Sequence, residues 1–180
     1  MWRLVAGTRA IKERLKRVQI SFQQQGFAFI SINYRLTRTL HHNIHFAQIE
    51  DSEKAINTVV AKSKKWNISA TQLVFWGDSA GSHLSLLHAY KYNNIKKIKA
   101  VRFTSESNDL TDTAFINNSI GGQPVKDMLT DYVGYSIMAN PQAWHDASPV
   151  SYISPASDPS MFMPYSRCYG NFLAVGSSLC

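Results

Sequence analysis

One short segment, Gly77-Asp78-Ser79-Ala80-Gly81, restricts the possible folds of this chain more than any other. It follows the apolar run Leu73-Val74-Phe75-Trp76, which predicts a buried strand, and it opens a stretch of helical periodicity over residues 80–92. A serine at such a turn stands clear of the sheet, and side chains at the flanking positions Gly77 and Gly81 would collide with neighbouring backbone. Ser79 is therefore a candidate nucleophile. The N–H of Ala80, at the positive end of the helix, is a candidate oxyanion donor, and Asp78 occupies the variable position of the turn.

The rest of the chain alternates apolar runs with helical periodicity. Strands are predicted over 28–32, where the run reads as buried on both faces, and over 73–76 and 100–103; helices are predicted over 8–25, 46–66 and 80–92. Residues 110–139 are predicted to be helical in two pieces broken at 121–124, and 140–160 to be a loop. This order predicts an α/β fold, a mostly parallel sheet with crossover helices on both faces. A glycine-rich turn in another doubly wound protein is the alternative.

Composition narrows the class of protein. With 180 residues, 44% of them hydrophobic and 17% charged, the chain predicts one globular domain. It contains no apolar stretch long enough to span a bilayer and no apolar signal-peptide centre near its start, so the chain as given reads as soluble and cytoplasmic. The net charge of +7 comes from two clusters without interleaved aromatic residues, which argues against a nucleic-acid partner. No residue spacing indicates a metal site.

Three segments, in order, resemble the α/β-hydrolase superfamily, in its carboxylesterase and lipase-like branch. That branch includes hormone-sensitive-lipase-like and acetyl-xylan or feruloyl esterase-like enzymes. The segments are GFAFISINYRL at 26–36, FAQIED at 46–51 and WGDSAGSHL at 76–84. The loop at 107–110 and the segment 147–152 are weaker matches. The resemblance covers residues 2–160 and implies the central part of an α/β-hydrolase fold.

The resemblance also implies a function. It implies a serine hydrolase of small-molecule carboxylic esters that forms an acyl-enzyme on Ser79 and needs no cofactor. It identifies the turn Gly77–Gly81 as a nucleophile elbow and assigns structural roles to three other residues. Asp51 tethers a loop or helix end, Arg35 pairs with a carboxylate, and His83 packs on the helix after the elbow (the elbow helix) rather than acting as the base. A non-catalytic remnant or binding module is one alternative. A serine peptidase of the prolyl-oligopeptidase type, which shares fold and elbow, is another.

The sequence departs from the family in the rest of its catalytic machinery. A triad of this superfamily runs Ser, then acid, then His, yet only His83, His88 and His145 follow Ser79. The strand that should precede the acid is predicted to begin near residue 160, and neither an acid nor a histidine follows it. Asp109 or Asp112 with His145 has the formal order, but the resemblance places His145 before that strand.

Both ends of the chain also depart from the family. The His-Gly-Gly type loop that supplies the other oxyanion donor, together with the first strands, is expected to be absent. We therefore expect a partial α/β-hydrolase domain over residues 1–163 and an unmatched tail over 164–180, for which an out-of-frame reading is one explanation. Weak or absent esterase activity is expected for the isolated chain.

Overall fold

A parallel sheet runs through the chain. The computed structural model describes residues 3–4, 19–37, 43–93, 96–104, 108–157 and 160–162. Strand β1 pairs in parallel with β2, β4 pairs in parallel with β3 on one side and β7 on the other, and β1 also lies against β3. An antiparallel hairpin is formed by β5 and β6. The strands are β1 (Arg3–Leu4), β2 (Ser31–Ile32), β3 (Leu73–Gly77), β4 (Ile98–Phe103), β5 (Ser119–Ile120), β6 (Gln123–Pro124) and β7 (Ser160–Phe162).

Helices cover both faces of this sheet. Neighbouring side chains of a strand point to opposite faces, and Phe75 and Trp76 contact different helices. The Phe75 ring meets His88 edge-on at 6.2 Å, whereas the Trp76 ring meets Phe22, within the helical residues 19–24, at 5.8 Å. The helices are α1 (His45–Trp66), α2 (Ala80–Tyr90), α3 (Thr113–Ile116), α4 (Val125–Val133) and α5 (Pro141–Ala147), followed by a 3₁₀ helix (Pro149–Tyr152). The predicted α/β fold with crossover helices on both faces is confirmed.

Helix α1 is the long crossover that leads into β3. Its apolar positions recur at helical spacing, and Ile49 and Val59 are both 5% exposed. It ends at Asn67, which adopts a left-handed conformation with φ 51° and caps the helix through its backbone N–H. Helix α2 is different because residues 81–89 are buried on every side. It is thus the central helix of the domain.

Two apolar cores support the sheet and the segment that follows it. The buried members of the first core are Ile49, Val59, Leu73, Phe75, Leu84, Leu86, Leu87, Ala89, Ile98, Val101 and Phe103. Those of the second are Leu110, Ile116, Val133, Trp144 and Ala147. Trp144 is fully buried at the centre of the second core, and its indole N–H donates to the carbonyl of Tyr135 at 2.8 Å. The second core packs the residues after β4 into a unit beside the elbow helix.

The predicted loop over 140–160 is wrong. Helix α5 and the 3₁₀ helix occupy much of it. Asn140 caps α5 by accepting from the N–H of Ala143 at 3.1 Å, and Pro141 fills the first turn, where no N–H is needed. The pair Asn140-Pro141 therefore marks a helix start. The sequence prediction missed it because the high content of Pro, Ser and Asp indicated a loop.

Other predicted elements differ mainly in length. The strand predicted over 28–32 is only two residues long, and Ser31 is exposed, so that strand is not buried on both faces. No strand was predicted before the first helix, but Arg3–Leu4 forms one. The two helical pieces predicted over 110–139 are α3 and α4, with the hairpin between them. Residues 8–18 of the first predicted helix and the tail 164–180 lie outside the described residues. No helix of the described part is long and apolar enough to cross a bilayer.

Candidate active site

Ser79 stands at a strained turn between β3 and α2. Its backbone has φ 50° and ψ −124°, in the left-handed φ region that non-glycine residues rarely adopt. Such a conformation costs on the order of 1–3 kcal/mol and persists only where the surroundings impose it. Ser79 and Ala80 are both exposed, and the N–H of Ala80 is in the first turn of α2, where amide groups have no partner within the helix. The turn therefore exposes the Ser79 hydroxyl next to the amino-terminal end of α2, and Ser79 and Ala80 line the same cavity.

Glycine is required at position 77 because the backbone at the start of α2 passes very close to it. A Cβ at this position would overlap the carbonyl carbon and oxygen of Gly81 and the amide nitrogen of Ser82. All three are backbone atoms, so no side-chain rotation could relieve the overlap. The predicted reason for glycine at position 77 is confirmed.

Hydrogen bonds tie the elbow to the end of β4. The Ser82 hydroxyl donates to the carbonyl of Gly77 at 2.9 Å and accepts from the N–H of Thr104 at 3.2 Å. The Thr104 hydroxyl in turn donates to the carboxylate of Asp78. Ser82 and Thr104 are buried, so these bonds are protected from water. Sequence analysis missed this support because residues 82 and 104 are brought together only by the pairing of β3 with β4.

An apolar cavity of about 400 Å³ opens beside Ser79. One wall comes from the segment between β2 and α1, the floor from α2, and the other wall from residues 110–132. Among the residues that the structure describes, the lining carries no carboxylate, lysine or arginine, which suits an uncharged ligand. The lining residues are Tyr34, Leu36, Thr37, Gln48, Ser79, Ala80, His83, Leu84, Leu110, Phe115, Ile120, Val125, Met128, Leu129 and Tyr132.

His83 lies one turn after Ser79 and lines the same cavity, but its ring is held elsewhere. Its Nε2 lies 2.7 Å from the carbonyl oxygen of Ala147, which can only accept, so Nε2 carries the proton. The Tyr132 hydroxyl then donates to Nδ1 at 3.4 Å. Burial lowers the pKa of His83 to about 4. The predicted packing role agrees with this geometry, although the helix does not carry His83 away from the cavity.

The other downstream histidines are also engaged outside the cavity lining. His88 is buried, and its Nε2 lies 2.6 Å from the hydroxyl of Ser52 on α1. His145 is exposed on α5, where Nδ1 is 3.8 Å from the carboxylate of Asp146. Neither residue lines the cavity that contains Ser79. The structure therefore brings none of the three into an evident Ser–His pair.

The candidate acids have local roles. The Asp109 carboxylate accepts from the N–H and the hydroxyl of Thr111, as in a turn. Asp112 caps α3 by accepting from the N–H of Ala114 at 2.9 Å. Asp158, which the sequence places just before the strand predicted near residue 160 and which is interpreted as a turn residue, lies outside the described residues. Among the residues that the structure describes, no group of three or more His, Cys, Asp or Glu side chains is arranged to hold a metal ion.

An ion pair fixes the cavity wall that follows β2. Arg35 binds both carboxylate oxygens of Asp51, at 2.8 Å and 2.9 Å, and also donates its backbone N–H to that carboxylate. It reaches the carbonyl of Ala47 as well, at 3.2 Å. The guanidinium lowers the pKa of Asp51. The predicted roles of Arg35 and Asp51 are confirmed, and the bidentate geometry pins Tyr34 and Leu36 against the start of α1.

Known proteins resemble this chain both in sequence and in fold. The BD-FAE family matches residues 5–165. Among solved structures, the chain is similar to a truncated carbohydrate esterase from gut microbiota, at 19% identity and a TM-score of 0.70, covering 91% of this chain and 65% of that one. It is similar to a bifunctional GH43-CE protein of Bacteroides eggerthii, at 18% identity and a TM-score of 0.68, covering 89% of this chain and 26% of that one.

A third similar structure is a thermophilic esterase of the planctomycete Thermogutta terrifontis, Est2. The identity is 15% and the TM-score 0.63, and the match covers 89% of this chain and 57% of Est2. At these identities the structures establish the α/β-hydrolase fold alone. This chain spans between about a quarter and two thirds of their lengths. A search of curated protein sequences gave no match.

Proposed function

Because the chain belongs to the BD-FAE family of α/β-hydrolase-like esterases, we propose that it is a serine hydrolase of carboxylic esters whose nucleophile is Ser79. The observation that carries this proposal is the positive φ of Ser79 at the strand-to-helix turn, beside an uncharged cavity. A strained, exposed serine is retained where its orientation matters for chemistry. An uncharged ester also suits a cavity lined by apolar and neutral polar groups.

The proposed reaction begins with attack of Ser79 Oγ on the ester carbonyl carbon. The carbonyl oxygen becomes an oxyanion that accepts from the N–H of Ala80 and is favoured by the amino-terminal end of α2. The carbon–alcohol oxygen bond then breaks, the alcohol leaves with a proton, and water hydrolyses the acyl-enzyme on Ser79. The Ser79 hydroxyl must give its proton to a base during the attack, and we expect this proton transfer to limit the rate of hydrolysis.

A non-catalytic binding role is the second candidate. His83 and His88 are both buried, with pKa values lowered to about 4, and both have hydrogen-bond partners away from Ser79. A base of such low pKa takes up a serine proton poorly at neutral pH. For these reasons we expect slow or absent turnover by this chain, with ester binding in the cavity retained.

Labelling by a fluorophosphonate probe tests the role of Ser79. The Thermogutta terrifontis esterase 2 is phosphonylated by sarin, a reagent of the same chemical class. We expect slow covalent labelling of the wild-type chain and none of Ser79→Ala, because a phosphonyl group needs the Oγ that the variant lacks. Intact-protein mass spectrometry would measure the added mass over time.

The matched control is Ser119→Ala, which removes an exposed serine hydroxyl in β5 that does not line the cavity beside Ser79. It should label at the wild-type rate. Labelling of Ser79→Ala at the wild-type rate would exclude Ser79 as the reactive group. A wild-type chain that folds, binds esters and never labels would instead favour the binding role.

A further inference from the structure

The cavity beside Ser79 is not apolar throughout. Most of its lining is aliphatic or aromatic, but the segment between β2 and α1 contributes Tyr34 and Thr37, and the first turn of α1 contributes Gln48. Arg35 holds this wall against α1 through Asp51 and the carbonyl of Ala47. The polar side chains there are thus placed by a fixed backbone rather than by a free loop.

Gln48 has a carboxamide whose nitrogen has hydrogen-bond partners and whose oxygen has none among the described residues. Its Nε2 donates to the carbonyl of Asn43 at 2.8 Å and to the hydroxyl of Thr37 at 3.2 Å. Both amide hydrogens are therefore used, and the orientation of the group is fixed. Gln48 is only 3% exposed, so its Oε1 is shielded from water, and this atom has no hydrogen-bond partner among the described residues. A buried acceptor in this state favours any ligand that brings a donor.

Tyr34, on the segment between β2 and α1, has a second polar group without a partner among the described residues. Its hydroxyl is buried and has no hydrogen-bond partner in the described part of the chain. Burial raises the pKa of Tyr34 to about 12, so the hydroxyl keeps its proton and remains a donor. A donor and an acceptor, each lacking a partner, thus belong to two residues that line one cavity.

We propose that Tyr34 and Gln48 form a specificity subsite that selects esters whose cavity-filling group carries a hydroxyl. An alcohol hydroxyl donates to Gln48 Oε1 and accepts from Tyr34, so a single group satisfies both. A carboxylate cannot donate and an ammonium cannot accept, and the described lining residues hold no opposite charge for either. The subsite rests on the proposed function, because it assigns the substrate class of the Ser79 cavity.

Binding to the Ser79→Ala protein tests this subsite without turnover. Two matched pairs of esters serve as probes, methyl hexanoate with methyl 6-hydroxyhexanoate and butyl acetate with 4-hydroxybutyl acetate. The first pair carries the hydroxyl on the acyl side and the second on the alcohol side. In a cavity without the subsite the plain ester binds more tightly, since its hydroxylated partner loses water without replacement. We expect the hydroxylated member of at least one pair to bind roughly tenfold more tightly by NMR titration.

Variants separate the subsite from a general effect on folding. Tyr34→Phe removes an unpartnered hydroxyl, so it should leave the urea midpoint unchanged or raised and reverse the order of affinity within the responsive pair. Gln48→Met should reverse it as well, and Tyr135→Phe, an exposed residue outside the cavity, should preserve it. Tighter binding of the plain esters by the parent protein, no binding of any probe, or an unchanged preference in Tyr34→Phe would overturn the subsite.

The two proposals fail in different ways. A hydroxyl preference that persists in a chain without fluorophosphonate labelling would leave the subsite standing and remove the catalytic role of Ser79. Labelling at Ser79 without a hydroxyl preference would keep the catalytic role of Ser79 and remove the subsite.

Discussion

Replacing Gly77 by alanine is expected to abolish the folded elbow and lower the free energy of unfolding by at least about 3 kcal/mol. The added Cβ would overlap backbone atoms of Gly81 and Ser82, so either β3 or the start of α2 must move. Movement would also break the bond from Ser82 to the carbonyl of Gly77. Urea unfolding followed by tryptophan fluorescence would measure the loss, and fluorophosphonate labelling would report the displaced Ser79.

Gly122→Ala is the control for this result. Gly122 has φ 81°, so alanine there is strained, but a Cβ at this position meets no atom within 4 Å. That substitution should cost about 1 kcal/mol and leave labelling unchanged. Similar urea midpoints for the two variants would mean that backbone conformation, rather than the close approach at Gly77, determines the loss.

The elbow could be predicted from sequence because its determinants are neighbours in the chain. A buried strand, two glycines and a helix start all lie within residues 73–92, and each has a local pattern. The Arg35–Asp51 pair is nearly as local, since it joins the end of β2 to the next helix. The resemblance gave each residue a tethering role, and the structure adds that the two pair with each other in bidentate geometry.

The polar wall of the cavity could not be predicted in the same way. Gln48 looks like an ordinary helix residue in the sequence, and Tyr34 looks like the end of an apolar strand. Their open hydrogen-bonding groups appear only when the Arg35 anchor and the wall from residues 110–132 enclose them. Whether a polar atom has a partner depends on tertiary contacts that periodicity does not encode.

His83 illustrates the same limit. The sequence and the resemblance together predicted that it packs, but its partner is the carbonyl of Ala147, 64 residues later. That contact exists because α5, in a region predicted to be loop, packs beside the elbow helix. The wrong prediction for residues 140–160 therefore also hid the partner that determines the tautomer of His83.

Mild acid is expected to destabilise the fold through its buried histidines. His45, His83 and His88 have pKa values lowered from 6.5 to about 4, chiefly by burial, so all three are neutral in the native state. In the unfolded chain each takes up a proton near pH 6.5. The stabilisation is complete above that pH and is lost as the pH falls toward 4, because the unfolded state binds protons first.

The size of this effect should be large compared with the stability of a typical domain. Each histidine contributes about 2 kcal/mol of lost stability by pH 5, so the three together remove about 6 kcal/mol from a usual total of about 5–15 kcal/mol. Urea unfolding at pH 7.5, 6 and 5 would measure the slope. His88→Gln should be less stable at pH 7.5 yet show about two thirds of the slope, since residue 88 no longer titrates, whereas the exposed His145→Gln should keep the full slope. A slope that is unchanged in His88→Gln would assign the acid sensitivity to other groups.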